Sequence, residues 1–369
     1  IDREKITKTK NIRKLIIREI ASYRKRYENY FNEFNAKSKI KKHMLDSCPN
    51  IIYLQDIGMV SVGQTKKDSM IAMDIAEQNI MVIKDIESTS HFKTITKNEL
   101  FDMEYWSLEQ AKLKKQKREL EGKIVVITGA LGKIGFETYK IFKNQGAEVV
   151  LLDVCGSSVK DFRKQYSDLC IKCDVSEKKS VEKAFSTIIN EYGGLDILIS
   201  NAGNAPQGMI ADISDKELKK SFDDNFFSHQ YCASITTNIL IQQNTKGCLL
   251  FNISKQSVNP GKSFGPYGLP KAALMNLCKQ YAIDYGSFGI RSNGVNADRI
   301  MSGILNKKMI SKRSKARGIS TREYMEGNLL NKEVYAVDVA KAFYHLAISE
   351  KTTGAILTVD GGNIAASFR

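Results

Sequence analysis

A chain of 369 residues with 42% hydrophobic and 26% charged residues, 25 Gly and only 5 Pro has the length of two domains and the composition of a globular protein, which excludes disordered, collagenous and repeat architectures. No apolar run reaches the roughly 18 residues a membrane helix needs, and the opening IDREKITKTK lacks a signal peptide's apolar core, so neither secretion nor membrane insertion is expected. The net charge of +15 is concentrated at the start: residues 1–42 carry 14 Lys/Arg against 5 Asp/Glu, the other 327 carry 42 against 36, and no nucleic-acid recognition motif accompanies them.

In that basic segment Ile12, Leu15, Ile16, Ile20, Tyr23, Tyr27, Tyr30, Phe31 and Phe34 recur at helical spacing, predicting an amphipathic helix of about 25 residues. It reads as a packing helix with a solvated Lys/Arg face; the alternative is a helix that binds phosphate or a membrane surface. The chain begins at Ile1 rather than Met, which fits a fragment or a processed product. Residues 50–62 read as two short strands around a turn, and 66–88 as a helix with Ile71, Ile75, Ile80 and Ile83 among its apolar positions. Residues 107–121 are polar nearly all round and predict a solvated helical linker.

From residue 123 the texture changes. KIVVIT (123–128), EVVLLD (148–153), LCIKCD (169–174), LDILIS (195–200), CLLFNIS (248–254), IRSNGV (290–295) and AILTVD (355–360) are strand candidates, separated by amphipathic segments of helical length. Apolar strands alternating with helices predict an α/β fold, a doubly wound parallel sheet of Rossmann type spanning 120–369, preceded by a smaller α+β N-terminal extension over 1–119. Its ligand should lie at the carboxyl ends of the strands. Seven cysteines without an export signal fit a reducing, cytoplasmic compartment. Cys170 and Cys173 stand three apart in a strand and so face opposite ways, unsuited to redox or metal chemistry. Four scattered histidines, His43, His91, His229 and His345, form no metal motif.

The first strand of this region runs into Gly129-Ala130-Leu131-Gly132-Lys133-Ile134-Gly135 and then a helix. Such a loop lets backbone amides approach a pyrophosphate at a helix N-terminus. Asp153, ending the second strand, can accept from both adenosine ribose hydroxyls and would repel a 2′-phosphate, which favours NAD over NADP; Lys133 is a cue in the other direction. Tyr267 and Lys271 are i and i+4 on a helix and share a face, and an ammonium beside a phenol stabilises the phenolate that a proton acceptor must be.

Together with Ser254, Asn225 in DDNFF, Asp174-Val175 in CDV, Asn201-Ala202-Gly203 and VDGG (359–362), these motifs resemble, in order, those of the short-chain dehydrogenase/reductase superfamily. The resemblance implies an oxidoreductase that transfers a hydride between NAD and a hydroxyl or carbonyl carbon. In it Tyr267 is the proton acceptor, Lys271 also holds the nicotinamide ribose, Ser254 bonds the substrate oxygen and Asn225 positions a water. It implies a homo-oligomer as well. Three positions depart from the family pattern: Lys133 replaces its middle glycine, Ser254-Lys255 its paired serine, and Asn296-Ala297-Asp298 its Pro-Gly. The competing reading is a non-catalytic dinucleotide-binding scaffold or sensor, which retention of Tyr267, Lys271, Ser254 and Asn225 together disfavours.

Residues 44–120 are similar to the end of the class II aldolase-like module of bifunctional aldolase/dehydrogenase proteins, which implies a polar, carbohydrate-like small-molecule substrate. That family's HxH pair is missing and Ile57 precedes Gly58 where its later zinc-binding His would stand, so neither a metal nor aldolase activity is expected. Residues 298–330 fall where the dehydrogenase family places a substrate lid and include Arg299, Lys307, Lys308, Lys312, Arg313, Lys315, Arg317 and Arg322. They read either as a solvated helix face or as a lid that recruits an anionic substrate.

Overall fold

The computed structural model describes residues 1–8, 11–107, 118–303 and 305–363, and the chain divides into two compact units, Ile1–Lys117 and Arg118–Arg369. Among the described residues no helix is long and apolar enough to cross a membrane.

In the first unit the basic segment forms a helix, Ile12–Lys37, capped by the Asn11 side chain. Its aromatic end is where it packs: Phe31 is buried with Phe101 and Tyr105 from and beside the Lys97–Glu104 helix, with Tyr30, Phe34 and Leu45 around them. Tyr27 shares its hydroxyl with Glu104 and Tyr105, each at 2.6 Å. Ile12 and Ile17, by contrast, are exposed. The hairpin is present as β1 (Ile51–Leu54) and β2 (Gly58–Ser61), paired antiparallel around a turn in which Asp56 and Gly58 have positive φ. The helix Lys66–Thr89 begins on a Thr65 capping box, but of its residues only Ala76 is buried; Ile71, Ile75, Ile80 and Ile83, expected to pack, are exposed. Periodicity located the helix correctly without showing what covers its apolar face. Most of the linker predicted over 107–121, residues 108–117, lies outside the described residues.

In the second unit seven strands form one parallel sheet in the order β5-β4-β3-β6-β7-β8-β9, namely β3 (Ile124–Thr128), β4 (Glu148–Asp153), β5 (Cys170–Lys172), β6 (Ile197–Ser200), β7 (Gly247–Asn252), β8 (Ile290–Ala297) and β9 (Ile356–Val359). The doubly wound expectation holds strand for strand. Alternation with period two explains why the strands read as continuous apolar runs: Val125, Ile127, Val149 and Leu151 join one hydrophobic core, while Val126, Val150 and Leu152 join the other on the opposite face. Cys170 and Cys173 separate in the same way, one into each core. The chain reverses direction across the sheet between β3 and β6, and that switch point opens a crevice at the carboxyl ends of those strands.

Candidate active site

The floor of the crevice is stitched by side chains of the strand ends. The Thr128 hydroxyl accepts from the backbone N–H groups of Asn201 (2.9 Å) and Ala202 (3.0 Å), and the Asn201 amide donates back to the carbonyls of Thr128 and Gly129. Asn252 donates to the Asn201 oxygen at 2.8 Å, tying β7 into the same network. The Asn201 side chain therefore fixes the geometry of three strand ends.

On this floor lies a cavity of about 690 Å³, lined by Gly129, Leu131 to Ile134, Asp153, Asp174, Val175, Asn201 to Gly203 and others. Gly129 turns with φ +59° hard against Ala202, where a Cβ would come within 2.9 Å of the Ala202 Cα. The helix Lys133–Asn144 starts at Gly132, which brings no capping side chain, so its first N–H groups are left to a ligand. A glycine cradle with an uncapped helix start fits a diphosphate. Asp153 borders the cavity; its carboxylate accepts from Leu131 N–H (3.0 Å) and Cys155 N–H (3.2 Å) and retains further acceptor capacity. Asp174 turns its carboxylate to Ser176, whose N–H and hydroxyl it accepts. Lys133 is exposed at the rim.

Gly135, expected in the cofactor loop, does not line the cavity. It is buried, and a Cβ there would sit 2.4 Å from the Gly129 carbonyl oxygen and 2.7 Å from the Ala130 Cα, so its role is to let the helix rest on the loop. Gly135→Ala is expected to destabilise this unit by about 1–3 kcal/mol and to weaken dinucleotide binding, because the atoms it strikes are backbone. Gly132→Ala, whose Cβ meets nothing closer than 3.4 Å, should cost less than about 0.5 kcal/mol. Chemical denaturation and NADH fluorescence titration of both variants check this.

A second, smaller cavity of about 130 Å³ shares Ile134, Asn252 and Ser302 with the first and is lined by Ser254, Tyr267, Phe264 and Arg313. Tyr267 and Lys271 project from the Gly265–Tyr285 helix on one face, with the Lys271 Nζ 5.9 Å from the Tyr267 ring centroid. Ser254, not Lys255, hydrogen-bonds the Tyr267 hydroxyl; Lys255 turns away to pair with Asp298 at 3.3 Å. Burial raises the Tyr267 phenol above its ordinary value, the Ser254 bond opposes that, and Asp298 adds to it.

Pro270 interrupts this helix without breaking it. The proline that removes an N–H at position 270 would leave the Pro266 carbonyl unpaired, and the Ser221 hydroxyl fills that place at 2.7 Å. Ser221 also accepts, through its carbonyl and hydroxyl, from the amide of Asn225. Asn225 sits fully buried in a π-helical turn, Asp223–Phe227, of the kind often found at functional sites. Its oxygen accepts from Asn204 N–H, so its side chain is committed to protein partners on both ends and braces the segment after Gly203 rather than facing open space.

Lys271 is 3% exposed, and burial pushes its ammonium down to about 7. It donates to the Asn252 carbonyl at 2.8 Å and meets His229 Nε2 at 3.3 Å, and His229 Nδ1 lies 2.6 Å from the Ser200 hydroxyl. His229 is wholly buried and held neutral, first by burial and then by the Lys271 charge. With Nε2 accepting from Lys271, Nδ1 carries the proton and donates to Ser200. This Ser200–His229–Lys271 chain was invisible in the sequence, where His229 was one of four scattered histidines; its only signal was the spacing of four from Asn225, which puts both on one helical face.

The segment after β8 folds as two short helices, Lys307–Lys315 and Thr321–Glu326, around a small core of Leu305, Ile310, Tyr324 and Met325. Arg299, with φ +52°, donates to the carbonyls of Tyr324 and Gly327 and anchors the pair. Among the described residues no group of three His, Cys, Asp or Glu side chains is arranged to hold a metal ion.

Comparison with known proteins bears on the family and the fold. Residues 129–363 match the family described as Enoyl-(Acyl carrier protein) reductase, and residues 1–113 match Aldolase class II, second domain. A relative from Bacillus subtilis (strain 168), the uncharacterized oxidoreductase YuxG, is 29% identical over 367 residues, covering 95% of this chain and 53% of its own length, so the chain spans about half of that relative. Among solved structures, 3-ketoacyl-(acyl-carrier-protein) reductase from Brucella melitensis, complexed with NADH, superposes with a TM-score of 0.60 at 22% identity, covering 66% of this chain and 98% of that one. The aldohexose dehydrogenase of Thermoplasma acidophilum superposes with a TM-score of 0.58 at 24% identity over 67% of this chain and 96% of that one.

Proposed function

The chain belongs to the short-chain dehydrogenase/reductase family of nicotinamide-dependent oxidoreductases, and from that premise we propose that it uses NAD to interconvert a secondary alcohol and its carbonyl on a small polar, carbohydrate-derived metabolite. The observation that carries the reading is Ser254 bonded to the Tyr267 hydroxyl, with Lys271 on the same helix face, in a pocket adjoining the glycine-lined cavity. Gly129, Gly132, Lys133 and Ile134 would hold the diphosphate, Asp153, Asp174 and Val175 the adenosine end, and Asn201 to Gly203, Tyr267 and Lys271 the nicotinamide riboside. When bound, the dinucleotide supplies the hydride acceptor or donor. Ser254 orients the substrate oxygen, Tyr267 takes its proton as the carbonyl forms, and Lys271 supplies the positive charge that keeps the resulting phenol acidic. Asn225 and His229 hold these groups in place. The aldohexose-acting neighbour and the aldolase-like first unit support the substrate class.

The test is NADH formation against a panel of polyols, hydroxyaldehydes, sugar acids and sugar phosphates. Turnover of none of them, with NAD still bound, would overturn the catalytic reading in favour of a dinucleotide sensor. Cofactor choice is tested by Asp153→Asn, which keeps an acceptor for Leu131 N–H while removing the charge that repels a 2′-phosphate. The ratio of kcat/KM for NAD over NADP is expected to fall roughly tenfold or more, about 1.4 kcal/mol. An unchanged ratio would place the discrimination elsewhere, with Lys133 the first residue to examine.

A further inference from the structure

We propose that the substrate carries an oxyanion, a carboxylate or a phosphate, and that Arg313 receives it; the inference rests on the reading of the small cavity as the substrate pocket. Arg313 projects from the Lys307–Lys315 helix into the wall of that cavity, alongside Ser254 and Tyr267. Its guanidinium stacks over Phe264, with Cζ 4.4 Å from the ring centroid, and Nη1 lies 3.4 Å from the Tyr324 hydroxyl. Nη2 is buried and has no hydrogen-bond partner among the described residues. A buried donor left unpaired costs about 1–3 kcal/mol, and a guanidinium fork is the group whose geometry matches two oxygens of one oxyanion.

The other charges lining the cavity are already matched. The Asp298 carboxylate takes Lys255 at 3.3 Å, Arg299 at 3.6 Å and the Asn363 amide at 2.7 Å, while Arg299 spends its Nη1 on the carbonyls of Tyr324 and Gly327. What they leave is a cation stacked on the Phe264 ring and bonded to the Tyr324 hydroxyl, with one nitrogen shielded from water and facing no acceptor among the described residues. The pocket then has two poles: Ser254 and Tyr267 for the reacting hydroxyl or carbonyl, and Arg313 for the charged end of the same molecule. Of the basic residues in the 298–330 segment, Lys307, Lys308 and Lys312 are exposed, whereas Arg313 is half-buried.

The experiment is calorimetric titration of the NADH-saturated full chain with oxalate, inorganic phosphate and the neutral diamide oxamide, in wild type, Arg313→Met, Arg313→Lys and the exposed control Lys308→Met. At least one oxyanion is expected to bind wild type and Lys308→Met alike while oxamide does not; Arg313→Met should weaken that binding roughly tenfold or more and Arg313→Lys by less. Preference for oxalate identifies a carboxylate substrate, and preference for phosphate a phosphate ester. Oxyanion binding that is absent in wild type, or that Arg313→Met leaves intact, overturns the proposal. An NADH affinity in Arg313→Met equal to that of wild type shows that the variant is folded. Should NADH itself fail to bind, the oxidoreductase reading fails while the same titration without nucleotide still decides the role of Arg313.

Discussion

Replacing Tyr267 by Phe is expected to lower kcat by about 10²–10⁴ while NADH affinity and thermal stability stay close to wild type. The size of the effect follows from what the substitution removes. Phe keeps the ring that packs against Phe264, at 6.4 Å between centroids, and loses only the hydroxyl that Ser254 bonds. Among the described residues the other phenol lining the small cavity is Tyr324, whose oxygen is engaged with Arg313. The pH dependence supplies a second measurement. Burial raises the Tyr267 phenol, so in the alcohol-oxidising direction the phenolate fraction, and with it kcat, should climb as pH rises. Ser254→Ala removes the one hydrogen bond that lowers the phenol and should move that climb to more alkaline pH; Lys255→Ala should not. A Tyr267→Phe enzyme within about tenfold of wild type would mean that another group accepts the proton, since so small a loss lies below what general base catalysis contributes.

The parts of this site that sequence made legible are those in which a backbone requirement dictates a residue type. The turn after β3 needs a positive φ and close approach, hence Gly129; the strands are buried on both faces, hence the unbroken runs that located all seven. Tyr267 and Lys271 were legible because helix geometry alone places positions i and i+4 together. Illegible were the contacts set by tertiary packing. That Gly135 serves the helix rather than the ligand depends on how closely Lys133–Asn144 rests on Ala130, and a glycine in a loop motif reads the same either way. That Asn225 is consumed by Ser221 and Asn204, and that Ser221 compensates Pro270, needs three segments brought together. The helix Lys66–Thr89 shows the converse: its periodic isoleucines are plain in the sequence, and nothing local says whether a neighbour covers them.

Lys271→Met should abolish measurable turnover and yet stabilise the fold, and the two effects share one cause. The wild-type ammonium is buried, with the Asn252 carbonyl and neutral His229 as its hydrogen-bond partners; the Tyr267 phenol also faces it, and among the described residues no carboxylate pairs with it. Burial lowers it from an ordinary value of 10.5 to about 7. Between those two values the unfolded chain holds a proton that the folded chain does not, so stability must rise with pH across that window, by at most about 1.4 kcal/mol per unit. Below about pH 7 both states are protonated, the slope vanishes and the full cost of the buried charge is present. Met fills a similar volume without the charge. The variant should lose that slope and gain roughly a few kcal/mol at and below neutral pH, a gain that shrinks toward zero as pH approaches the lysine's ordinary value. His229 contributes a slope of the same sign at lower pH, because its folded value is depressed. Burial, the larger cause, persists in Lys271→Met while the part due to the Lys271 charge is lost, so the comparison is read above neutral pH, where His229 is neutral in both proteins. Guanidinium unfolding of wild type and Lys271→Met at intervals from pH 6 to 10, followed by far-ultraviolet circular dichroism, reads the difference directly. A difference that does not vary with pH would show that Lys271 reaches solvent in the free protein, and a loss of stability at neutral pH would show that its bond to the Asn252 carbonyl outweighs the cost of burying its charge. The expected result means that the fold carries a charge it would be more stable without, one helical turn from the phenol to which the proposed mechanism assigns the proton transfer.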